Sequence, residues 1–113
     1  MKYSHEVIFC IVNSGYSDDV MNSAKKFGAR GGTVLNARGT ADKQAEKFFG
    51  ITVQPEKEIV MILVPKECKN DIMHALYKDV GLDTPGQGIA FAVPVDSVVG
   101  ITPIAPETEE EGK

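Results

Sequence analysis

One order of elements occurs twice along this chain of 113 residues: a predicted strand, a helix, a glycine-containing turn and a second strand. The first copy passes through residues 27–32 into a strand that begins at Thr33, and the second passes through residues 80–88 into a strand that begins at Ile89. This doubled unit is typical of a split βαβ repeat. We therefore expect an α+β fold of order βαββαβ, the ferredoxin-like arrangement, in which a four-stranded antiparallel sheet carries both helices on one face.

The predicted strands are a short mixed stretch at residues 33–39 and apolar runs at residues 7–12, 58–64 and 89–93, with a short further piece at 98–99. Turn residues bound these runs, and Pro65, which cannot donate to a strand ladder, ends the run at 58–64. The runs are apolar on both faces instead of alternating with polar residues. Strands of this kind are buried on both faces, so we expect an oligomer to cover the face that the helices leave open.

Two amphipathic helices are predicted between the strands. The first is expected to begin at a Ser17 cap and to stop before Gly28, and the second is expected to run from about Glu67 to a stop at Gly81. The buried stripe of the first is predicted as Val20, Met21, Ala24 and Phe27. That of the second is predicted as Ile72, Met73, Leu76, Tyr77 and Val80.

Composition indicates one globular domain, because 42% of the residues are apolar and 25% are charged. We assign it to residues 1–102, followed by an acidic tail at 103–113. The net charge is −4, which makes nucleic acid an unsuitable partner. The first apolar run has six residues, too few for a signal peptide or a membrane span, so we expect a cytoplasmic protein without direct membrane insertion.

The two cysteines and two histidines of the chain give no sign of a metal site. Cys10 and Cys68 form no C-x-x-C pair, and neither they nor His5 and His74 stand at metal-binding spacing. We expect two reduced thiols and no metal ligands.

The segment from Thr40 to Lys57 is too long for an ordinary connection, which indicates a functional loop. Glycines at 31–32 stand before it, and a second cluster lies at 86–88. Glycine lets the backbone approach an anion closely, and in the expected fold we place both clusters at the same edge of the sheet. These features predict a site for a phosphorylated ligand beside the loop.

Two stretches carry a resemblance to a known family: Gly31-Gly32-Thr33-Val34 leading to Arg38-Gly39, and residues 86–95, which read GQGIAFAVPV. With the long loop between them, they resemble the nitrogen regulatory P-II signal-transduction family over roughly residues 7–101. The resemblance implies a homotrimer that binds an adenine nucleotide (ADP, AMP or ATP) as effector in clefts between subunits, with no obligatory cofactor. It also implies a T-loop, here about residues 40–57, that contacts a partner enzyme or membrane transporter in nitrogen or related metabolic regulation.

The resemblance also assigns roles to individual residues. Thr33 and Leu63 would lie beside the adenine, and Arg38, Gly39 and Lys57 would lie near the phosphates at the base of the T-loop. The backbone of residues 86–88 would surround the phosphates. The full predicted nucleotide-binding set is Gly31, Thr33, Arg38, Gly39, Lys57, Leu63, Gly86, Gln87 and Gly88. Phe48 and Phe49, in the loop, would either anchor a partner or pack back onto the trimer.

The chain departs from the family pattern at several positions. Ile89 stands where a lysine is usual, and Gly100 and Thr102 stand where arginines are usual, which predicts weaker triphosphate binding. Met61 replaces an expected acidic residue. The loop is shorter than usual and has no tyrosine or serine between Gly39 and Lys57, so the family's loop modifications have no acceptor. We expect a divergent P-II-like member.

Two other classes stay open at this point. One is a small ferredoxin-like enzyme, which is disfavoured because no arginine in residues 13–17 could hold a phosphate and no nucleophile and base stand at useful spacing. The other is a trimeric metal or small-ligand sensor of the same fold, for which only Glu56 and Glu58 come near as ligands. The favoured interpretation is a regulator without catalytic residues.

Overall fold

The computed structural model describes residues 3–40 and 55–101, so most of the predicted T-loop and the acidic tail lie outside the described residues. The elements are β1 (His5–Asn13), α1 (Ser17–Lys25), β2 (Thr33–Arg38), β3 (Glu56–Pro65), α2 (Lys69–Val80) and β4 (Ile89–Val95). A single 3₁₀ turn, Lys66–Cys68, precedes α2. The four strands form one antiparallel sheet in the order β2-β3-β1-β4. The α+β arrangement predicted from the doubled pattern is therefore confirmed.

One face of the sheet and the two helices enclose a single core. Burial alternates along β1, so that Ile8, Cys10 and Val12 are buried while the residues between them are only partly covered. Ile8 and Cys10 pair with Ile62 and Val60 of β3, which are fully buried as well. The helices complete this core with Val20, Ala24, Ile72, Leu76 and Val80. Both helices therefore cover the same face, because side chains of alternate residues point to opposite faces of a sheet.

The opposite face of the sheet, which we call the open face, is also apolar. It carries Phe9 of β1, and the Phe91 ring of β4 stacks on it with ring centroids 5.2 Å apart. Phe91 and four further apolar side chains on this face, Leu35, Leu63, Ile89 and Val93, are 37–57% exposed. The expectation that both faces carry apolar residues is confirmed, and the helices leave this one uncovered.

The predicted N-terminal cap of α1 is wrong, although the helix begins at Ser17. Ser17 is the first helical residue, and Tyr16, in the N-cap position, makes no side-chain capping bond. The capping group comes from β3 instead, because Glu58 Oε1 accepts hydrogen bonds from the backbone N–H of Gly15 (3.2 Å) and of Ser17 (3.3 Å). A carboxylate at this end also suits the positive end of the helix dipole. Sequence spacing within the helix could not reveal a cap that lies 41 residues away.

Two aromatic residues predicted to be buried are exposed. Phe27 is 45% exposed because α1 ends at Lys25 and the chain turns at Gly28, whose φ is +111°. Tyr77 is 71% exposed because it lies beside the buried stripe of α2 instead of on it. That stripe consists of Ile72, Ala75, Leu76 and Val80, and the helix begins at Lys69 instead of Glu67.

The short strand piece predicted at 98–99 is also wrong. Val99 is 94% exposed, and the chain is irregular after Val95. The last pair of the β1–β4 ladder joins His5, the first residue of β1, to Val95. Beyond Val95, β4 therefore has no residue of β1 left to pair with. Pro94 is accommodated inside β4 because this is an edge strand.

The Glu58 cap leads to a stability prediction. Glu58→Ala should lower the free energy of unfolding by about 0.5–2 kcal/mol, the usual cost of removing a cap. Urea unfolding at one fixed protein concentration measures this, with Glu56→Ala, an exposed residue of the same strand, as the control. Equal losses in the two variants would show that the carboxylate of Glu58 does not stabilise α1.

Candidate functional site

Several predicted ligand residues meet at one end of the sheet, which we call the Asn13 end. Here β1 and β2 finish and β3 and β4 begin. Asn13 pairs with Lys57, Lys57 pairs with Ala37, and Arg38 pairs with Glu56. Side chains at these positions come from chain segments far apart in sequence, and the antiparallel ladder holds them in fixed register.

Lys57 is positioned by a neutral hydrogen-bond partner. Its Nζ donates to Asn13 Oδ1 at 2.7 Å. Lys57 is partly buried, and Asn13 is only 6% exposed. Because an amide oxygen carries no net charge, this bond orients the ammonium group without neutralising it. The positive charge of Lys57 thus remains available to an anion.

Asn13 also holds the turn that precedes β4. Its side-chain Nδ2 donates to Pro85 O at 3.0 Å and lies 3.4 Å from Gln87 Oε1. Its backbone N–H donates to Gly86 O at 2.8 Å. Asn13 therefore contacts both the glycine turn at 85–88 and the lysine at the end of the long segment.

The backbone of this glycine turn is tightly constrained. Gln87 has a φ of +49°, in the left-handed region that non-glycine residues rarely adopt. Gly88 lies so close to Val80 O and Val12 that a Cβ atom would not fit. The N–H of Gly88 donates to Val80 O at 2.6 Å, and that of Gln87 donates to Thr84 O at 3.0 Å. In this conformation two of the three N–H groups predicted to surround phosphates are therefore bonded within the chain.

Gly39 and Pro55 join the two ends of the long segment. The N–H of Gly39 donates to Pro55 O at 2.6 Å, directly beyond the pairing of Arg38 with Glu56. The segment that departs after Thr40 thus returns to the sheet beside the place where it left. Phe48 and Phe49, the predicted partner contacts, lie outside the described residues.

The structure does not bring Gly31, Thr33 and Leu63 to this end. Thr33 pairs with Met61, four residues along the ladder from the Lys57 row, and Leu63 lies six residues from Lys57 on β3. At about 3.4 Å per residue these separations are about 14 and 20 Å. Thr33 and Leu63 lie along the β2 side of the sheet, whereas the turn at 86–88 leads into β4 on the opposite edge. The prediction that both glycine clusters lie at the same edge is wrong for a single chain, because two strands separate β2 from β4.

The role of Asn13 was not predicted from the sequence. The predicted strand ends at residue 12, and asparagine directly after a strand is a usual turn residue. One feature of the sequence could have indicated this role: Asn13 is a polar residue at the end of an apolar strand, so its side chain lies at the end of the sheet. Its partners, at 57 and 85–87, could not be deduced from spacing because they depend on the register of two other strands.

A cavity of about 270 Å³ lies elsewhere, between the C-terminal half of α2 and the start of β4. Cys10, Leu76, Tyr77 and Ile89 are among its lining residues, and it lies on the helix side of the sheet. Burial raises the pKa of the Cys10 thiol to about 11, so this group is a neutral thiol at physiological pH. Of the predicted phosphate contacts, the lining includes Gly88 but neither Lys57 nor Arg38, so we do not assign the predicted phosphate site to this cavity.

Two further observations concern metal ions and membranes. Within residues 3–40 and 55–101, no three side chains of histidine, cysteine, aspartate or glutamate lie together as metal ligands. Neither helix in these ranges is long and apolar enough to cross a membrane.

Comparison with solved structures finds the same fold in other organisms. The PII protein of Arabidopsis thaliana bound to citrate superposes with a TM-score of 0.66 at 22% identity, covering 88% of this chain and 82% of that one. B. subtilis GlnK in complex with ATP gives 0.63 at 17% identity, covering 84% of each chain. A nitrogen regulatory PII-like protein from Thiomonas intermedia K12, bound to ADP, AMP and bicarbonate, gives 0.64 at 12% identity, covering 88% and 98%.

Sequence comparison identifies the family. No curated protein matches the chain significantly. The family model described as nitrogen regulatory protein P-II, however, matches residues 5–104, which is most of the chain. The match includes all four strands, both helices and the Asn13 end. The chain therefore belongs to the nitrogen regulatory protein P-II family.

Proposed function

We propose that this protein is a P-II-like signalling regulator that binds an adenine nucleotide between the subunits of a homotrimer. The observation that carries the proposal is the Asn13 end, where Lys57 is held by a neutral amide beside the constrained turn at 86–88. An oriented cation next to a glycine-rich backbone suits the phosphates of a nucleotide. Similar folds bind ATP in B. subtilis GlnK and ADP and AMP in the Thiomonas intermedia protein.

The division of the predicted ligand residues supports a site between subunits. Thr33 and Leu63 lie on the β2 side of the sheet, whereas the turn at 86–88 precedes β4 at the opposite edge. A contact between the β2 edge of one subunit and the β4 edge of the next is heterologous, and such contacts form a ring when the rotation between neighbouring copies closes. Three copies related in this way would unite the two groups of residues at each boundary.

The open face supports the same assembly. Its apolar side chains include Phe91 and Val93 on β4 and Leu35 on β2, all close to half exposed. Burying them stabilises an oligomer by roughly 25 cal/mol for each Å² removed from water. A trimer whose sheets face one another would cover these side chains.

The proposed output is a partner protein that contacts the 40–57 segment. The partner would be a metabolic enzyme or a membrane transporter, in nitrogen or related metabolic regulation, and the protein would work in the cytoplasm without catalysing a reaction. The bond between Gly39 and Pro55 places the base of this segment next to Lys57, which supports control of the segment by a bound phosphate. Phe48 and Phe49 would anchor the partner.

We predict a homotrimer in solution. Light scattering after gel filtration should give three times the chain mass of 12.2 kDa at micromolar concentration. Phe91→Asp, on the open face, should shift the mass towards that of a monomer because it puts a charge into the proposed interface. Tyr77→Asp, on α2, is the control and should remain trimeric. A monomeric wild-type protein would refute the assembly.

We predict that AMP or ADP binds at least as well as ATP. Ile89, Gly100 and Thr102 replace cations of the family pattern, and each missing charge-assisted contact removes roughly 1.5–3 kcal/mol. Calorimetry with the three nucleotides measures the preference. Ile89→Lys should shift the preference towards ATP, whereas Phe27→Lys, in the turn that follows α1, should not. Wild-type binding of ATP tenfold tighter than ADP would contradict the prediction.

We also predict that nucleotide binding protects the two ends of the 40–57 segment from hydrogen exchange. A phosphate held near Arg38 and Lys57 would tie both ends to the sheet. Ordering the backbone costs about 1–2 kcal/mol per residue, so the nucleotide alone is not expected to fix the middle of the segment. Unchanged exchange at residues 39–40 and 56–57, in protein saturated with nucleotide, would show that ligand and segment are not coupled.

A further inference from the structure

Asn13 stands between the two parts of the proposed site and bonds to both. Its Oδ1 accepts the hydrogen bond from Lys57 at 2.7 Å, and its Nδ2 donates to Pro85 O at 3.0 Å. Its backbone N–H is bonded to Gly86 O at 2.8 Å. The side chain is buried, so water does not replace these partners readily.

Apart from the bonds of Asn13, the hydrogen bonds of the turn at 85–88 and those at the base of the 40–57 segment have different partners. On the turn side, Gln87 and Gly88 are bonded to Thr84 and to Val80 at the end of α2. On the segment side, Gly39 is bonded to Pro55. Among the side-chain hydrogen bonds of the described residues, those of Asn13 alone link the turn at 85–87 to Lys57.

We propose that Asn13 is the positioning residue that couples the glycine turn at 85–88 to the base of the 40–57 segment. This inference rests on the proposed function, since it explains how a nucleoside phosphate at the turn affects that segment. The coupling itself is a property of the protein without ligand.

Binding of a phosphate at the turn would displace atoms that are hydrogen-bonded to Asn13. The N–H groups of Gln87 and Gly88 are bonded to carbonyls of their own chain in this structure. A phosphate that accepts hydrogen bonds from them must compete with Thr84 O and Val80 O, and the turn must shift to meet it. Pro85 O and Gly86 O shift with the turn. Through Asn13, that displacement reaches Lys57.

The chemistry of the amide group explains why asparagine suits this position. One end of the side chain must accept from an ammonium group, and the other must donate to a carbonyl oxygen. Aspartate has nearly the same shape but can only accept when ionised. Asn13→Asp would therefore keep the bond to Lys57 and lose the bond to Pro85.

This difference allows the link to be broken on one side at a time. In protein without ligand, Asn13→Ala should speed amide exchange about fivefold both at Gln87 and Gly88 and at Gly39, the ratio expected for one lost hydrogen bond. Asn13→Asp should speed exchange at Gln87 and Gly88 but not at Gly39. The matched control is Asn70→Asp, which adds the same charge at an exposed position of α2 and should change neither part.

A second variant tests the link from the other side. Lys57→Met removes the donor to Asn13, and Lys57 has no hydrogen bond to the turn. Exchange at Gln87 and Gly88 should nevertheless become faster. Combining Lys57→Met with Asn13→Ala should add nothing further at the turn, because the same link is already broken. A purely structural role of Asn13 would give additive effects.

Measurements with and without ADP distinguish a failure of this inference from a failure of the proposed function. In the wild type, saturating ADP should slow exchange at Gly39, and in Asn13→Ala bound ADP should no longer do so. If ADP does not bind the wild type but the ligand-free results hold, the coupling stands and the proposed ligand is wrong. If ADP binds while Lys57→Met leaves the turn unchanged, or the two variants add, the coupling by Asn13 is refuted and the proposed function stands.

Discussion

Strand β1 is hydrogen-bonded on both sides and apolar on both faces, and the rest of the molecule is arranged around this constraint. Its central position between β3 and β4 satisfies its backbone, because each residue from His5 to Ile11 pairs with both neighbours. The helices cover Ile8, Cys10 and Val12 on one face. Within the described residues, neither helix covers Phe9 and its neighbours on the other face, and the proposed assembly would bury this open face.

The end of the same strand determines the geometry of the candidate site. β1 finishes at Asn13, which is nearly as buried as the apolar residues before it. A buried amide must satisfy both its oxygen and its nitrogen, and here Lys57 and Pro85 do so. A lysine held in this way keeps its charge, whereas a carboxylate in place of Asn13 would neutralise it. The hydrogen bond therefore orients the ammonium group of Lys57 and leaves its positive charge available to attract an anionic ligand.

Although the chain belongs to the P-II family, its candidate site departs from the family pattern. Ile89 is more than half exposed and lies at the start of β4, where the family pattern has a lysine. The backbone of the turn before it is engaged with α2 and with Thr84. In the proposed function, both features would weaken the binding of a triphosphate and would make Lys57 more important for phosphate binding. The proposed regulator would then respond through a small number of contacts at the base of its loop.

The sequence by itself determined the doubled order of elements, the antiparallel sheet and the apolar character of both its faces. These follow from local patterns, since β-branched runs and helical stripes are encoded within a few neighbouring residues. The resemblance to the P-II family, in addition, implied one site for Arg38, Gly39, Lys57 and the turn at 86–88. Only the tertiary structure decided which side chains meet. Glu58 caps a helix 41 residues away, Asn13 bonds to Lys57 and Pro85, and Thr33 lies far from both. Such contacts depend on strand order and register, because a shift of one residue would turn each side chain to the other face.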